Sequence, residues 1–326
     1  MRVCLITPAP PGSRSGNRVT AIRWTRILRA LGHRVAVREE YRDDRCDLLV
    51  ALHARRSFSS AARYRDRHPG GPLVVVLTGT DLYGDLDTDP LAQQALEMAS
   101  RLVLLQPLGI AQLPAHLHDK ARVIYQSATP PPGARAPRAG TFDVCVLAHL
   151  RPVKDPLRAA RAARMLPASS RIRIVHLGAA LSPEMEREAL AEQADNPRYR
   201  WLGERPRWRA LRILAGSRLL VLSSRTEGGA NALSEAIASG VPVLASRIPG
   251  SMGILGAEYP GYFPVEDTGA LAELLRRAET DAAFYRALAE GCERVRPLVD
   301  PARERLAWDE LLRELCAVSC ASGTIS

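Results

Sequence analysis

Leu219-Leu220-Val221-Leu222-Ser223-Ser224-Arg225-Thr226-Glu227-Gly228-Gly229-Ala230-Asn231-Ala232-Leu233-Ser234-Glu235 is the stretch on which the reading of this chain turns. Its first four residues are apolar without alternation, the pattern of a strand buried on both faces. A loop with two glycines follows, and then a helix expected to run to about Ser239, where Gly240 closes it and Pro242 prevents its continuation. The loop of a strand–loop–helix unit lies at the carboxyl end of its strand, where open α/β sheets bind ligands. Gly228 and Gly229 allow close approach of a ligand to the backbone. The N–H groups around Asn231, Ala232 and Leu233 are expected to be free for an anion such as phosphate. Glu227 and Glu235 frame that helix start. Beside a phosphate, carboxylates are best used on hydroxyl groups, and a sugar and a ribose flanking a diphosphate would supply them. The competing reading is two solvated glutamates that fall eight residues apart by chance.

Outward from this segment, the chain has 326 residues, 46% hydrophobic and 25% charged, values of globular domains and enough for two cores. No apolar run approaches the roughly 18 residues of a membrane span. The chain opens on an expected strand, Arg2 to Thr7, in place of the charged and apolar regions of a secretion signal. Six cysteines, at 4, 46, 145, 292, 316 and 320, have no Cys-x-x-Cys spacing and read as reduced thiols of a cytoplasmic protein. The net charge of +10 is almost all arginine, since Lys120 and Lys154 are the only lysines. Residues 1–135 carry 19 basic and 12 acidic residues, against 26 and 23 in the remainder, so the positive excess is N-terminal. The arginines form no run and are not interleaved with aromatics, so a nucleic-acid partner is not expected.

Strands expected at Val3–Thr7, Arg34–Val37, Leu48–Leu52, Leu73–Leu77 and Leu102–Leu105 alternate with helical segments, the pattern of a parallel, doubly wound sheet. Residues 128–140 form a proline- and glycine-rich linker, after which the alternation restarts. The expected architecture is therefore α/β, with one Rossmann-like domain at 1–135 and a second at 136–300, which the resemblance given below implies are the acceptor and nucleotide-sugar halves. A last helix, from about Pro301 to Leu315, lies in the segment 301–326.

Several other positions carry chemistry. The loop Pro11-Gly12-Ser13-Arg14-Ser15-Gly16-Asn17-Arg18 joins the first strand to the first helix, where its glycines suit an anion or an ordinary turn. It lacks Gly-x-Gly-x-x-Gly and is no dinucleotide fingerprint. His53 follows the strand ending at Leu52, and Asp81 follows the next one, either orienting an acceptor or capping its own turn. Lys154 is notable in a chain that otherwise uses arginine, because an ammonium is a compact point charge where a guanidinium is a planar fork. Packing is the plain reading of Trp201 and Trp208 and is preferred for Trp201. No metal-ligand spacing appears, so neither a metal nor another cofactor is expected.

The segment from Ser223 to Glu235, continued by Ala238-Ser239-Gly240-Val241-Pro242 and Pro249-Gly250, resembles the Glu-x7-Glu region of the family 4 glycosyltransferases. The resemblance implies the GT-B fold, two Rossmann-like domains facing a cleft, with the final helix crossing back onto the first domain. It implies that His53 contacts the donor sugar and that Glu227 and Glu235 hold sugar and ribose hydroxyls. It further implies that Lys154 and a second cation neutralise the diphosphate. The family places an arginine where this chain has His149, and Arg151 lies two residues further on, which leaves the second cation open.

The opening loop, with Leu77-Thr78-Gly79-Thr80-Asp81-Leu82-Tyr83 and His149-Leu150-Arg151-Pro152-Val153-Lys154-Asp155-Pro156, also resembles the selenosugar synthases of selenoneine biosynthesis. That resemblance implies transfer of a sugar from a UDP-sugar to selenophosphate, giving a 1-selenosugar, UDP and phosphate. UDP-sugar would bind at His149, Arg151, Lys154, Glu227, Gly228, Gly229, Asn231, Ala232, Leu233 and Glu235, with His53, Lys154 and Glu227 at the reacting centre. Selenophosphate would bind at Gly12, Ser15, Gly16, Asn17, Arg18 and Asp81, with Arg14 as a further cation. Two alternatives stand beside it: a family 4 transferase with a hydroxyl acceptor, and a non-catalytic basic module for nucleic acid or anionic surfaces.

Overall fold

A computed structural model describes residues 1–13, 15–133 and 136–321. The chain divides into two compact units, 1–126 with 227–229 and 301–326, and 127–226 with 230–300. The break at 126/127 falls just before the proline-rich stretch that follows Thr129.

The first unit is built from β1 (Arg2–Ile6), α1 (Gly16–Ala30), β2 (Arg34–Arg38), β3 (Leu48–Leu52), α2 (Phe58–Arg67), β4 (Leu73–Leu77), α3 (Pro90–Met98), β5 (Arg101–Leu104) and β6 (Ala121–Val123). Its strands form one sheet in the order β2-β1-β3-β4-β5-β6, with every pairing parallel. β3 and β4 are buried at every residue, which is why they read as unbroken apolar runs. The strand order reverses between β1 and β3, so the loops after these two strands flank the crevice of the sheet.

The second unit contains β7 (Phe142–Leu147), α4 (Arg158–Arg164), β8 (Ile172–Leu177), α5 (Pro183–Asp195), β9 (Tyr199–Trp201), α6 (Arg207–Ala215), β10 (Leu219–Leu222), α7 (Asn231–Ala238), β11 (Val243–Ser246), α8 (Pro249–Leu255), β12 (Tyr262–Phe263), α9 (Thr268–Thr280) and α10 (Ala282–Val295). Its sheet, again parallel throughout, runs β12-β11-β10-β7-β8-β9. Renumbered within the unit and read from β9, this is 3-2-1-4-5-6, the dinucleotide-fold order, with its reversal between β7 and β10. α4 begins at Arg158, after the Asp155-Pro156 step. Asp155 lies in the left-handed region (φ 42°), and a residue before proline is disfavoured in the right-handed helical region.

α11 (Pro301–Ala321) runs past the expected end at Leu315 and packs with the first unit. Its Glu304 is buried against α1, accepting from Trp24 Nε1 at 2.6 Å and from Arg23 Nε at 3.0 Å. Trp308 meets the Trp24 ring edge-on, with centroids 4.8 Å apart. Among the described residues no helix is long and apolar enough to cross a membrane.

Candidate active site

In the second unit the loops after β7 and β10 are bound to each other. Residues 152–154 form a single helical turn, and Lys154 N–H donates to Arg151 O at 2.9 Å. Ser223, the first residue after β10, donates its hydroxyl to Asp155 O at 2.8 Å and to Lys154 O at 3.3 Å. Arg225 N–H donates to Val153 O at 2.9 Å. Ser246, at the end of β11, donates to Ser224 O at 2.5 Å. These bonds fix the Lys154 turn against the loop that leads into α7. Asp155 is held in turn by Arg158 at 2.6 Å, whose Nη1 donates to Thr268 Oγ1 at 2.7 Å.

The N-cap of α7 is Ala230, which has no side-chain acceptor to offer the first turn. One correction applies to the expected free donors: Leu233 N–H is taken by Ala230 O at 3.0 Å. Glu235 is only 4% exposed, so it is no solvated helix glutamate. Arg207 of α6 lies 2.5 Å from its Oε1, paired by charge without hydrogen-bond direction. The same carboxylate adds to burial in raising the Cys145 thiol of β7 above the usual range. Sequence reading missed Arg207, since nothing in its spacing links it to Glu235. Glu227 is likewise buried, at 8% exposure. The tripeptide Glu227–Gly229 packs with the first unit, and a Cβ on Gly228 would lie 2.6 Å from the Thr78 carbonyl, so only glycine fits there.

The ends of β7 and β8 approach as closely. A side chain at Gly178 (φ 156°) would overlap the Ala148 carbonyl. His149 Nδ1 accepts from Ala179 N–H at 3.1 Å, so its proton sits on Nε2. The neighbouring His176 is buried, bonded to Tyr199 OH (2.8 Å) and Ala148 O (2.9 Å), and burial lowers its pKa to about 4. Trp201 Nε1 donates to Gly178 O at 2.9 Å. Trp208 does not pack: it is 61% exposed, with the Arg212 guanidinium 5.4 Å from its ring centre.

In the first unit His53 sits immediately after β3 with φ 72°, a left-handed conformation uncommon for a residue with a Cβ. Its Nδ1 faces Arg56 N–H at 3.4 Å and lies 3.8 Å from Asp81 Oδ2, and its Nε2 lies 3.1 Å from Thr80 Oγ1. Thr80 is a second residue that sequence reading missed. Asp81 is fully buried, and its carboxylate accepts from Ala54 N–H (2.9 Å), Thr78 N–H (2.8 Å), Gly79 N–H (2.9 Å) and Thr78 Oγ1 (3.2 Å). These contacts make it the cap of its own turn and leave it poorly placed to hold an acceptor.

The β1–α1 loop turns at Gly12 (φ 83°) and enters α1 with Ser15 as N-cap. Among the described residues the Ser15 side chain makes no capping bond, and its Oγ, like Arg18 Nε, is buried without a hydrogen-bond partner. Gly16 and Asn17 open the helix between them, and Arg14 lies outside the described residues. Among the described residues, no group of three or more His, Cys, Asp or Glu is arranged for a metal ion.

Comparison with known proteins gives this geometry a class. Residues 134–294 match the model of the family described as glycosyl transferases group 1. Glycosyl transfer is the chemistry that the family defines. A sucrose-phosphate synthase from Thermosynechococcus elongatus aligns with TM-score 0.78 at 17% identity, covering 98% of this chain and 100% of that one. The HepE protein of Anabaena in complex with UDP-glucose aligns with TM-score 0.76 at 16% identity, over 96% and 100% of the two chains. An E. coli trehalose-6-phosphate protein bound with UDP-2-fluoro glucose gives 0.71 at 10%, over 97% and 99%. At these identities the likeness concerns the fold, which is GT-B with two Rossmann-like domains.

Proposed function

We propose that the protein transfers a sugar from a UDP-sugar to selenophosphate. The UDP and UDP-glucose complexes of the Anabaena protein support a nucleotide-sugar donor. In this reading the diphosphate lies against Lys154 and the start of α7, with no metal, and Glu235 accepts from the ribose hydroxyls. His53 and Glu227 bind the sugar. Arg151, His149 through its Nε2–H, and the Gly228–Ala232 backbone complete the donor set.

The observation that carries the choice of acceptor is the state of the two groups able to serve as a base. Asp81 has its carboxylate filled by four donors, and both nitrogens of His53 face partners. A hydroxyl acceptor would lack a base there. Selenophosphate is an anion with a soft selenium nucleophile and needs none. Its phosphate would sit at Gly12, Ser15, Gly16, Asn17 and Arg18, where a helix start and an arginine meet. Selenium attacks the anomeric carbon, and the carbon–oxygen bond to UDP breaks with its electron pair leaving on UDP, stabilised by Lys154. Water then cleaves the phosphorus–selenium bond, giving phosphate and the 1-selenosugar.

Incubation with a panel of UDP-sugars tests this directly. UDP release should require selenophosphate, yield a product with a carbon–selenium bond, and survive EDTA. Release of UDP onto a hydroxyl acceptor, with selenophosphate inert, would replace this reading by that of an oxygen-directed transferase.

A further inference from the structure

Arg207 is the first residue of α6 and Glu235 the fifth of α7. Both helices start at the carboxyl ends of strands in one sheet, α6 after β9 and α7 after β10. Arg207 Nη2 lies 2.5 Å from Glu235 Oε1, yet the partners differ in surroundings: the arginine side chain is 48% exposed and the glutamate side chain 5%. On this side the guanidinium stands between the buried carboxylate and solvent. Stability does not account for the pair. Solvent screens the exposed partner, and desolvation of the buried one offsets the attraction. Arg205, Arg209 and Arg212, around the same helix start, form no ion pair among the described residues, so pairing is not the default for arginines there.

The hydrogen-bonding inventory indicates what the pair can hold. A carboxylate only accepts and a guanidinium only donates, whereas a hydroxyl does both. The other N–H groups of Arg207 have no protein partner among the described residues. A hydroxyl seated at the pair can donate to Glu235 and accept from Arg207, and both bonds are charge-assisted. We propose that Arg207 and Glu235 act together as the reader of a vicinal diol, with Arg207 setting the preference for a ribonucleotide over a deoxyribonucleotide donor. The inference rests on the reading that Glu235 accepts from the ribose hydroxyls. Arg207 holds the carboxylate in place and supplies the donor half that Glu235 lacks. A nucleotide without the hydroxyls leaves both charged groups unanswered, which is the strongest basis on which a site rejects an analogue.

Calorimetric titration of the full chain with UDP and with 2′,3′-dideoxy-UDP tests this without an acceptor. Wild type should bind UDP about 100-fold more tightly than the dideoxy nucleotide. Arg207→Met keeps the length of the side chain and removes the cation. The preference should fall to about tenfold or less, with dideoxy-UDP affinity within about threefold of wild type. Arg207→Lys keeps the charge but not the planar fork, so it should give an intermediate ratio, and it carries the test if the first variant does not fold. An arginine that only supports the fold would weaken both nucleotides alike, and an unchanged ratio in the folded variants overturns the proposal. Glu235→Gln separates the two levels. If it loses the preference while the Arg207 variants keep it, the inference fails and the ribose reading stands. If wild type binds both nucleotides equally, the ribose reading itself falls and the inference with it.

Discussion

The two units place their candidate groups at the same point of the same kind of sheet, yet finish them differently. In the second unit the loops flanking the reversal are tied by Ser223 and Arg225, and Ser246 of β11 holds the second of them, so the Lys154 turn and the approach to α7 form one fixed surface. In the first unit His53 and Asp81 are well bonded, but at the start of α1 Ser15 Oγ and Arg18 Nε have no hydrogen-bond partner among the described residues. A donor that is large and has many hydroxyl and phosphate groups suits a prebuilt bed. A small anion suits a few leftover groups around a helix start. The difference teaches that order and incompleteness can both mark a binding surface, the first by its bonding and the second by its unpaired atoms.

The largest expected effect breaks the ordered part of the first unit. Asp81→Ala strands three backbone N–H donors and should cost about 4 kcal/mol of stability, read as a lowered urea midpoint. A small loss, with a specific rise in selenophosphate KM, would return Asp81 to the acceptor. The next concerns the junction of β8 and β9 in the second unit. His176 has a folded pKa of about 4 against 6.5 unfolded, so its stabilising effect is full above pH 6.5 and is lost as the pH falls toward 4, about 3 kcal/mol in all. Denaturation curves across that window should show the loss, and His176→Gln should flatten it. At the donor surface, Lys154→Ala should lower turnover with saturating UDP-sugar by about 10²-fold while the melting temperature stays near wild type. Near-normal turnover in the folded variant would remove the lysine from the mechanism.

Much of this was legible in the sequence because it is local. Apolar runs such as Leu73–Leu77 announced strands buried on both faces, and strand–helix alternation fixed their parallel direction. That alone put His53, Lys154 and Asn231 at carboxyl ends of strands. The illegible part is made of pairs that only the folded chain creates. The Gln126 amide donates to Thr20, 106 residues away in sequence. The Arg207–Glu235 pair joins two helices, and no periodicity predicts it. Trp208 could not be placed from sequence, because an indole can pack or stay at the surface; here an arginine lies over its ring and the residue is largely exposed. Asp81 could be weighed two ways from sequence, and counting its donors required coordinates.

The central claim is a division of labour, with the donor on the second unit's Lys154–α7 surface and the acceptor on the first unit's α1 start. The most direct test is the pair of Michaelis constants measured for Lys154→Ala and Arg18→Ala. The account predicts that Arg18→Ala raises the selenophosphate KM by about tenfold and moves the UDP-sugar KM by less than about twofold, while Lys154→Ala impairs use of the UDP-sugar and leaves the selenophosphate KM near wild type. An Arg18→Ala protein with unchanged selenophosphate saturation, or one whose UDP-sugar KM rises as far as its selenophosphate KM, would contradict it.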